Sequence, residues 1–274
     1  MFICVRMSGK RGAGMLPLQR KQALIAYLAD RGAATLKELS DRFGVSEMTV
    51  RRDLNELEQE RRIRRSHGGA VYVKPGQENG QDEPEMTAKQ ASNRDVKDRL
   101  AAYAAETFVR SGDTVVLENG TTVSRMAERL GRLDQLTLLT NGIDTLGRFR
   151  PYATDKRVII SCGGIFRDIS GTFVGPVAEE FFSRYHADTL FLSALGYTTE
   201  AGFTDPNLMD TQVKKIMIRS AKKVVMLLDS SKFGQRYFSP VATLADIHAL
   251  VTDRGITRED RERIEESGVE LHVV

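Results

Sequence analysis

In the run Glu118-Asn119-Gly120-Thr121-Thr122 a carboxylate and an amide precede a glycine and two adjacent hydroxyls. Glycine lets a backbone approach a ligand closely, and free amides with two hydroxyls can cradle a phosphate. An apolar stretch, Thr114 to Glu118, leads into the run and a helical one, Val123 to Leu130, leads out, so it reads as a strand-to-helix turn. Such turns often carry a glycine and a capping threonine for structural reasons alone, so the run gains weight from its company. Thr140-Asn141-Gly142, Cys162-Gly163-Gly164 and Asp229-Ser230-Ser231-Lys232 follow later apolar stretches, and all are expected at the same end of one sheet. Arg167, just past the Gly-Gly turn, is a further candidate anion contact. Glu118, Asp205 and Lys214 could also act as acid, base and electrostatic group in a sugar-phosphate isomerase, although nothing in their spacing demands turnover.

The elements that must position these groups form an alternation. Helical segments are expected at Val96 to Val109, Ile143 to Phe149, Val177 to Tyr185, Thr211 to Ser220 and Arg258 to Ser267. Between them lie apolar strands at Leu136 to Thr140, Val158 to Ser161, Thr189 to Leu195, Val224 to Asp229, Ala249 to Thr252 and Val269 to Val274. This is the pattern of a doubly wound α/β domain, a mainly parallel sheet with helices on both faces. Ligands in such sheets sit at the carboxyl ends of the strands.

Composition excludes several classes. Of 274 residues, 41% are hydrophobic and 28% charged, which is ordinary for a globular protein and leaves room for two domains. No apolar run reaches the roughly 20 residues of a membrane helix. Met1 to Val5 is apolar but gives way to Arg6, short of a signal-peptide core, so a cytoplasmic protein is expected. The two cysteines, Cys4 and Cys162, make neither a disulfide framework nor a metal site, and no metal or cofactor is expected. The net charge of +3 is divided unevenly: residues 1–74 hold 15 basic and 8 acidic residues, net +7, and the remainder is net −4. A basic head on a mildly acidic body suits a polyanion partner for the head alone.

That head shows a second chemistry. Leu18, Ala23, Leu24, Tyr27 and Leu28 recur at helical spacing between Pro17 and Arg31. Thr35 and Glu38 make a capping box for a second helix carrying Leu36, Leu39 and Phe43, which Gly44-Val45 ends. Ser46 can cap a third, Glu47 to about Gln59, with Val50, Leu54 and Leu57 on its apolar stripe. Two helices joined by a short glycine-containing corner make a helix-turn-helix, whose second helix enters the DNA major groove by its N-terminal part. Glu47, Met48, Thr49 and Arg52 are therefore the candidates for base contact, and Ser46, Thr49 and Arg51 for phosphate. A solvated charged face accounts equally well for Arg51 and Arg52 on spacing alone. Arg61 to Val73 reads as strand, Gly68-Gly69 turn and strand, a basic wing in which Arg64, Arg65 and His67 are candidate DNA contacts. His67 suits a hydrogen-bonding turn residue better than a metal ligand. Residues 1–15 read as an extension, 16–73 as the winged helix-turn-helix, 74–93 as a linker rich in Gly, Pro, Gln and acidic residues, and 94–274 as the α/β domain.

Ser46-Glu47-Met48-Thr49-Val50-Arg51-Arg52-Asp53-Leu54, followed by Arg65-Ser66-His67-Gly68-Gly69-Ala70, resembles the signature of the DeoR family of bacterial sugar-metabolism regulators. The order Glu118 to Thr122, Thr140-Asn141, Gly163-Gly164, Gly171 to Pro176, Gly202 to Asp205, Lys214 and Asp229 to Gly234 is similar to that family's sensor domain. The resemblance implies a repressor with its helix-turn-helix at about Ala33 to Arg52, operator DNA as partner and a phosphorylated sugar or polyol as effector. It also implies a sensor related in fold to ribose-phosphate isomerases and CoA transferases. Carried over, it gives phosphate to Gly120, Thr121 and Thr122, charge to Lys214 and Lys232, and sugar hydroxyls to Glu118, Asn141 and Asp205, with Asn119, Gly163, Gly164 and Arg167 beside them. Many members have Asp-Ser where Glu118-Asn119 stands. A homo-oligomer, dimer or tetramer, is expected, since paired heads match half-sites about 10 bp apart or multiples of it.

Overall fold

Leu24 and Leu28 lie one helical turn apart and are both fully buried, which gives the first helix, α1 (Pro17–Arg31), its inner face. The computed structural model describes residues 17–59, 63–66, 68–72 and 83–274, and the chain divides into two units, 1–80 and 81–274. In the first, a short strand β1 (Ala33–Thr35) follows α1, then helices α2 (Leu36–Phe43) and α3 (Glu47–Gln59). The capping box is formed: Glu38 N donates to Thr35 Oγ1 at 3.2 Å, and Thr35 N donates to the Glu38 carboxylate at 2.8 Å. Gly44, at φ 63°, ends α2 in the left-handed region that glycine enters without strain. Val50, Leu54 and Leu57 of α3 close the core against Leu24, Leu28, Leu36 and Leu39.

The wing strands are β2 (Ile63–Ser66) and β3 (Gly69–Tyr72), paired antiparallel, and β1 adds to the other edge of β3. The sequence reading has no β1: three residues without alternation carry no strand signal, and their partner lies beyond two helices. Asp53 also escapes that reading. It is buried, and its carboxylate takes two hydrogen bonds from Arg20, at 2.5 and 3.1 Å, tying α3 to α1. The extension 1–15, the Arg61-Arg62 start of the wing, His67, the Arg64 side chain and the linker from Lys74 to Gln81 lie outside the described residues.

The second unit opens with helices α4 (Met86–Ala91) and α5 (Arg94–Phe108). The segment 74–93 is thus not a linker throughout: from Glu83 onward it belongs to the second unit, with a helix that its polar composition conceals. Strand β4 (Thr114–Leu117) follows, then a 3-10 turn (Val123–Met126) running into α6 (Ala127–Leu130), in place of one continuous helix. Next come β5 (Leu136–Thr140), α7 (Ile143–Phe149), β6 (Arg157–Ser161) and a hairpin of β7 (Ile165–Arg167) and β8 (Thr172–Val174). The chain continues through α8 (Pro176–Arg184), β9 (Ala187–Leu192), β10 (Gly196–Thr198), β11 (Gly202–Asp205) and α9 (Leu208–Ser220). It ends with β12 (Ala221–Leu227), β13 (Ser239–Ala242), β14 (Ala249–Thr252), α10 (Arg258–Glu266) and β15 (Glu270–Val273).

Seven strands make one all-parallel sheet in the order β15-β14-β12-β9-β4-β5-β6, and β10, β11 and β13 make a small antiparallel one. Alternate strand residues enter two separate cores. Val115, Leu117, Phe191, Val225 and Leu227 face Leu100, Ala104 and Met126, while Val116, Leu190, Leu192, Val224 and Met226 face Phe182, Val213 and Met217. The chain leaves β4 toward β5 and β6, then returns to β4's other side with β9. The order therefore reverses between β4 and β9, and at such a reversal the flanking loops diverge and leave a crevice.

The two glycines of the wing turn differ in what surrounds them. A Cβ on Gly69 would stand 2.1 Å from the Ala34 carbonyl oxygen and 2.8 Å from Thr35 Cα, whereas one on Gly68 would meet nothing within 4 Å. Gly69→Ala must push β1 off β3 and is expected to lower the first unit's unfolding free energy by about 1–3 kcal/mol. Gly68→Ala is expected to stay within ~0.5 kcal/mol. Chemical-denaturant unfolding of the full chain checks this, and equal effects at the two positions would show that β1 is not packed as described.

Candidate functional site

On α3, Ser46, Glu47, Met48, Arg51 and Arg52 are exposed and Thr49 is half-buried. The cap is made locally: Thr49 N donates to Ser46 Oγ at 3.2 Å, and the two hydroxyls share a hydrogen bond of 2.9 Å. Met48 is 81% exposed, a large apolar side chain left in water on the first turn. Arg52 lies 3.8 Å from Glu56 on the next turn, an exposed pair that holds it weakly. Arg65 of the wing behaves differently. It is half-buried, its guanidinium bonds Asn55, and its backbone N donates to Glu58 at 2.8 Å, so it fixes the wing to α3. Its side chain is turned onto Asn55 of α3 rather than held out in solvent.

In the second unit a cavity of about 70 Å³ opens at the β4–β9 reversal. Its walls are Glu118 to Thr122 after β4, Ser193 to Leu195 after β9, Asp205 at the end of β11, and Asp210 and Lys214 of α9. Asp229 and Lys232 after β12, Lys97 of α5, Glu83, Met86 and Lys89 at α4, and Ser170 and Thr172 at the β7–β8 hairpin also line it. Asn141, Gly163, Gly164 and Arg167 lie outside it. Asn141 and the glycines follow β5 and β6, on the far side of the reversal, from which the later β7–β8 hairpin reaches the cavity through Ser170 and Thr172 while their own turns do not. Gly163 and Gly164, at φ 64° and 119°, make the turn into β7, and a Cβ on Gly164 would stand 2.7 Å from the Val174 carbonyl oxygen. Arg167 is not a free anion contact either: its guanidinium is held by Asp210 and by Glu83, the latter at 2.8 Å.

Lys214 stands between two carboxylates, its Nζ 2.6 Å from Asp205 and 3.2 Å from Glu118, and it donates to the Ser193 carbonyl at 2.8 Å. Burial opposes its charge, but Asp205 and Glu118 outweigh that and hold its pKa above the ordinary lysine value. The expected phosphate-binding cation is therefore already neutralised. The other oxygens are also engaged: Asp205 accepts from Leu195 N at 2.8 Å, and Glu118 from Ser193 Oγ at 3.2 Å. A Cβ on Gly120 would stand 2.0 Å from Ser193 Oγ and 2.8 Å from the Glu118 carboxylate, so a larger residue would have to displace both side chains where the two loops meet. Asn119 is buried and its amide donates to the carbonyls of Ser170 and Gly171, each at 2.9 Å. Its side chain thus stitches the loop to the β7–β8 hairpin and is committed there.

The sequence reading overlooks Lys97. It is 2% exposed, lines the cavity with Lys232, and donates a hydrogen bond from Nζ to the Lys89 carbonyl. Burial, and next the charge of Lys232, lower its pKa to about 8. Arg125, also buried, fixes the Thr121 turn by donating to its carbonyl at 3.0 Å while pairing with Asp98 at 2.6 Å. The signal that could have found Lys97 is a lysine on the inner stripe of an otherwise alanine- and leucine-lined helix. Among the described residues no group of three or more His, Cys, Asp or Glu could hold a metal ion, and no helix is long and apolar enough to cross a membrane.

The cavity thus has an acceptor-rich region around Lys214 and a cationic one at Lys97 and Lys232, in a unit separate from the helix-turn-helix. Comparison with known proteins finds the same division. Residues 20–76 match the family described as DeoR-like helix-turn-helix domain, and residues 92–254 the DeoR C terminal sensor domain. The HTH-type transcriptional regulator YulB of Bacillus subtilis, itself described as uncharacterized, is 34% identical over 95% of this chain and 98% of its own. The HTH-type transcriptional regulator GlpR of Haloferax volcanii is 34% identical over 93% and 97%, and the transcriptional repressor AccR of Agrobacterium fabrum 33% identical over 86% and 89%. Among solved structures, ribose 5-phosphate isomerase A from Methanocaldococcus jannaschii aligns at a TM-score of 0.37 and 20% identity, over 53% of this chain and 56% of that one. The relatives found by sequence are named as transcriptional regulators, which are not enzymes. The chain belongs to the DeoR family of transcriptional regulators, joining a DeoR-like helix-turn-helix domain to a DeoR C-terminal sensor domain.

Proposed function

We propose that this regulator represses a sugar or polyol catabolic operon and that a phosphorylated sugar or polyol, bound in the sensor cavity, modulates its hold on operator DNA. The observation that carries the effector reading is the pairing within one cavity of carboxylates around Lys214 with Lys97 and Lys232. Ligand hydroxyls would donate to Glu118 and Asp205, and a phosphate would take the ammonium groups and the Thr121 and Thr122 hydroxyls. Lys214 then positions the carboxylates, and Lys97 takes the anion-binding part that the family resemblance gave to Lys214. On the DNA side, the exposure of Glu47, Met48 and Arg52 on the first turns of α3 supports base contact, with Ser46, Thr49 and Arg51 beside them for phosphate. Repression is supported by two relatives whose names include it, AccR and the putative aga operon transcriptional repressor of Escherichia coli O157:H7. A homo-oligomer of two or four chains would present paired heads to repeated half-sites.

Binding of the full-length protein to the DNA upstream of its neighbouring operon tests the first half. Arg52→Ala is expected to cost about 1–3 kcal/mol on the preferred sequence and to relax base preference at one position. Arg51→Ala should weaken all sequences alike and reduce the logarithmic salt slope by about one. The absence of any sequence preference at moderate salt would refute the repressor reading.

A thermal-shift screen of phosphorylated sugars tests the second half, since a ligand at a hundred times its dissociation constant stabilises the sensor by roughly 2.7 kcal/mol. Lys97 is charged below about 8 and neutral above it, so affinity for the phosphate is expected to be full at pH 7 and to fall as pH rises through about 8. The phosphate group, with its second pKa near ~6, stays dianionic across that range and cannot cause the fall. Lys97→Met should weaken binding and flatten the profile. Equal affinity for a hit from pH 7 to 9 would remove Lys97 from the site.

A further inference from the structure

The cavity is small for the ligand proposed for it. At about 70 Å³ it has room for on the order of five waters, whereas small-molecule sites run from roughly 300 Å³ upward. To bury a phosphorylated sugar there a wall must move, and the walls are not equally fixed. Most are strand ends and buried side chains of the two cores. The exception is the stretch from Glu83 through α4, which contributes Glu83, Met86 and Lys89. Helix α4 spans six residues and buries none of them, and a helix of that length has no stability of its own.

What holds α4 is a set of polar ties, several of them to the groups that an anion would seek. The Glu83 carboxylate, 10% exposed, lies 2.8 Å from Arg167 and 3.2 Å from Lys89. Lys97 donates its hydrogen bond to a carbonyl of α4 itself, that of Lys89. Others lie elsewhere, among them a hydrogen bond from Gln90 to Asp144 at 2.6 Å and one from Arg125 to the Gln90 carbonyl at 3.4 Å. Glu83 is thus an anion supplied by the protein to its own cations. Its departure would leave Arg167 paired with Asp210, and the acceptor that Lys97 loses at the Lys89 carbonyl would be replaced by the arriving anion.

We propose that Glu83 to Ala91 is an internal plug of the sensor cavity, displaced by an anionic effector that takes its place beside Lys97. This rests on the reading of the cavity as the effector site. Glu83 is also the first described residue after the segment that leads from β3 and the DNA-binding domain. Freeing the plug therefore lengthens the covalent tether between sensor and head, which supplies a physical route from occupancy to DNA binding.

The test uses full-length protein with inorganic phosphate as probe, by calorimetry and by amide hydrogen exchange. Glu83→Gln removes the competing charge and should tighten phosphate binding on the order of tenfold. Gln90→Ala changes no charge but cuts a tie remote from the cations, and should tighten binding by about threefold. Saturating phosphate should speed exchange over Met86 to Ala91 in the wild-type protein. Tightening in Glu83→Gln alone would reduce the effect to simple electrostatics and overturn the plug, as would unchanged exchange over Met86 to Ala91. If wild-type protein binds phosphate and neither variant binds it more tightly, the plug falls and the cavity reading stands. If no form binds phosphate, the cavity reading fails and the plug fails with it.

Discussion

The Lys214 ammonium has almost no water around it, and it stays charged because Asp205 and Glu118 approach it from two sides. Taking an ammonium and two carboxylates out of water costs several kcal/mol per ion, and only close geometry with further hydrogen bonds offsets that. Here the further bonds come from Ser193 and Leu195, so the cluster joins β4, the loop after β9, β11 and α9. Removing one member of such a group is typically worth about 3–5 kcal/mol, because it leaves a buried charge without its partner. The same constraint shapes the site: carboxylates held this firmly can present their remaining lone pairs in only one direction.

Around this cluster the two ends of the cavity differ in kind. The carboxylate end is built from strand termini and one long helix, with every polar group partnered. The cationic end is looser. Lys232 is half-buried on a short 3-10 turn (Ser230–Lys232), and Lys97 is buried beside it with a carbonyl as hydrogen-bond acceptor. Two like charges near one another in a partly dry space favour neutralisation of one or arrival of an anion, and the lowered pKa of Lys97 expresses that tension. A rigid pair of carboxylates and a titratable cationic contact are thus placed on different structural elements.

The DNA-binding unit rests on analogous logic at smaller scale. Its core is a handful of leucines, and the Asp53–Arg20 pair fixes α3 against α1 so that the outer face of α3 is held at a defined orientation. Arg65 and Gly69 make the wing part of the same body, one through Asn55 and the other by letting β1 approach β3. Small domains bury limited surface, and polar anchors of this sort supplement what the core supplies.

Much of this was legible in the sequence. The spans of α1 and α3, the capping box of α2, the left-handed Gly44 and the alternation of strands and helices follow from periodicity and turn chemistry within a few residues. Local rules suffice there because the interacting groups are neighbours in the chain. The Glu118 to Thr122 turn and Lys232 were visible in the same way, as polar groups where strands end, whereas the family resemblance alone proposed ligand contacts for Asp205 and for Lys214, which lies within a helix. Strand order was not. Thr140-Asn141-Gly142 and Cys162-Gly163-Gly164 look like the other strand-end turns, and only the tertiary arrangement decides that they stand apart from the cavity. Nor were the pairings: Arg167 meets Glu83 across 84 positions of sequence, and the helix carrying Lys89 lies in a stretch whose composition reads as linker. The sequence by itself therefore determined which elements form and which polar groups end them, because those are short-range matters of propensity and capping. Tertiary structure alone decided which of those groups face one another and which charges are already neutralised, because burial and ion pairing join residues that no local pattern connects.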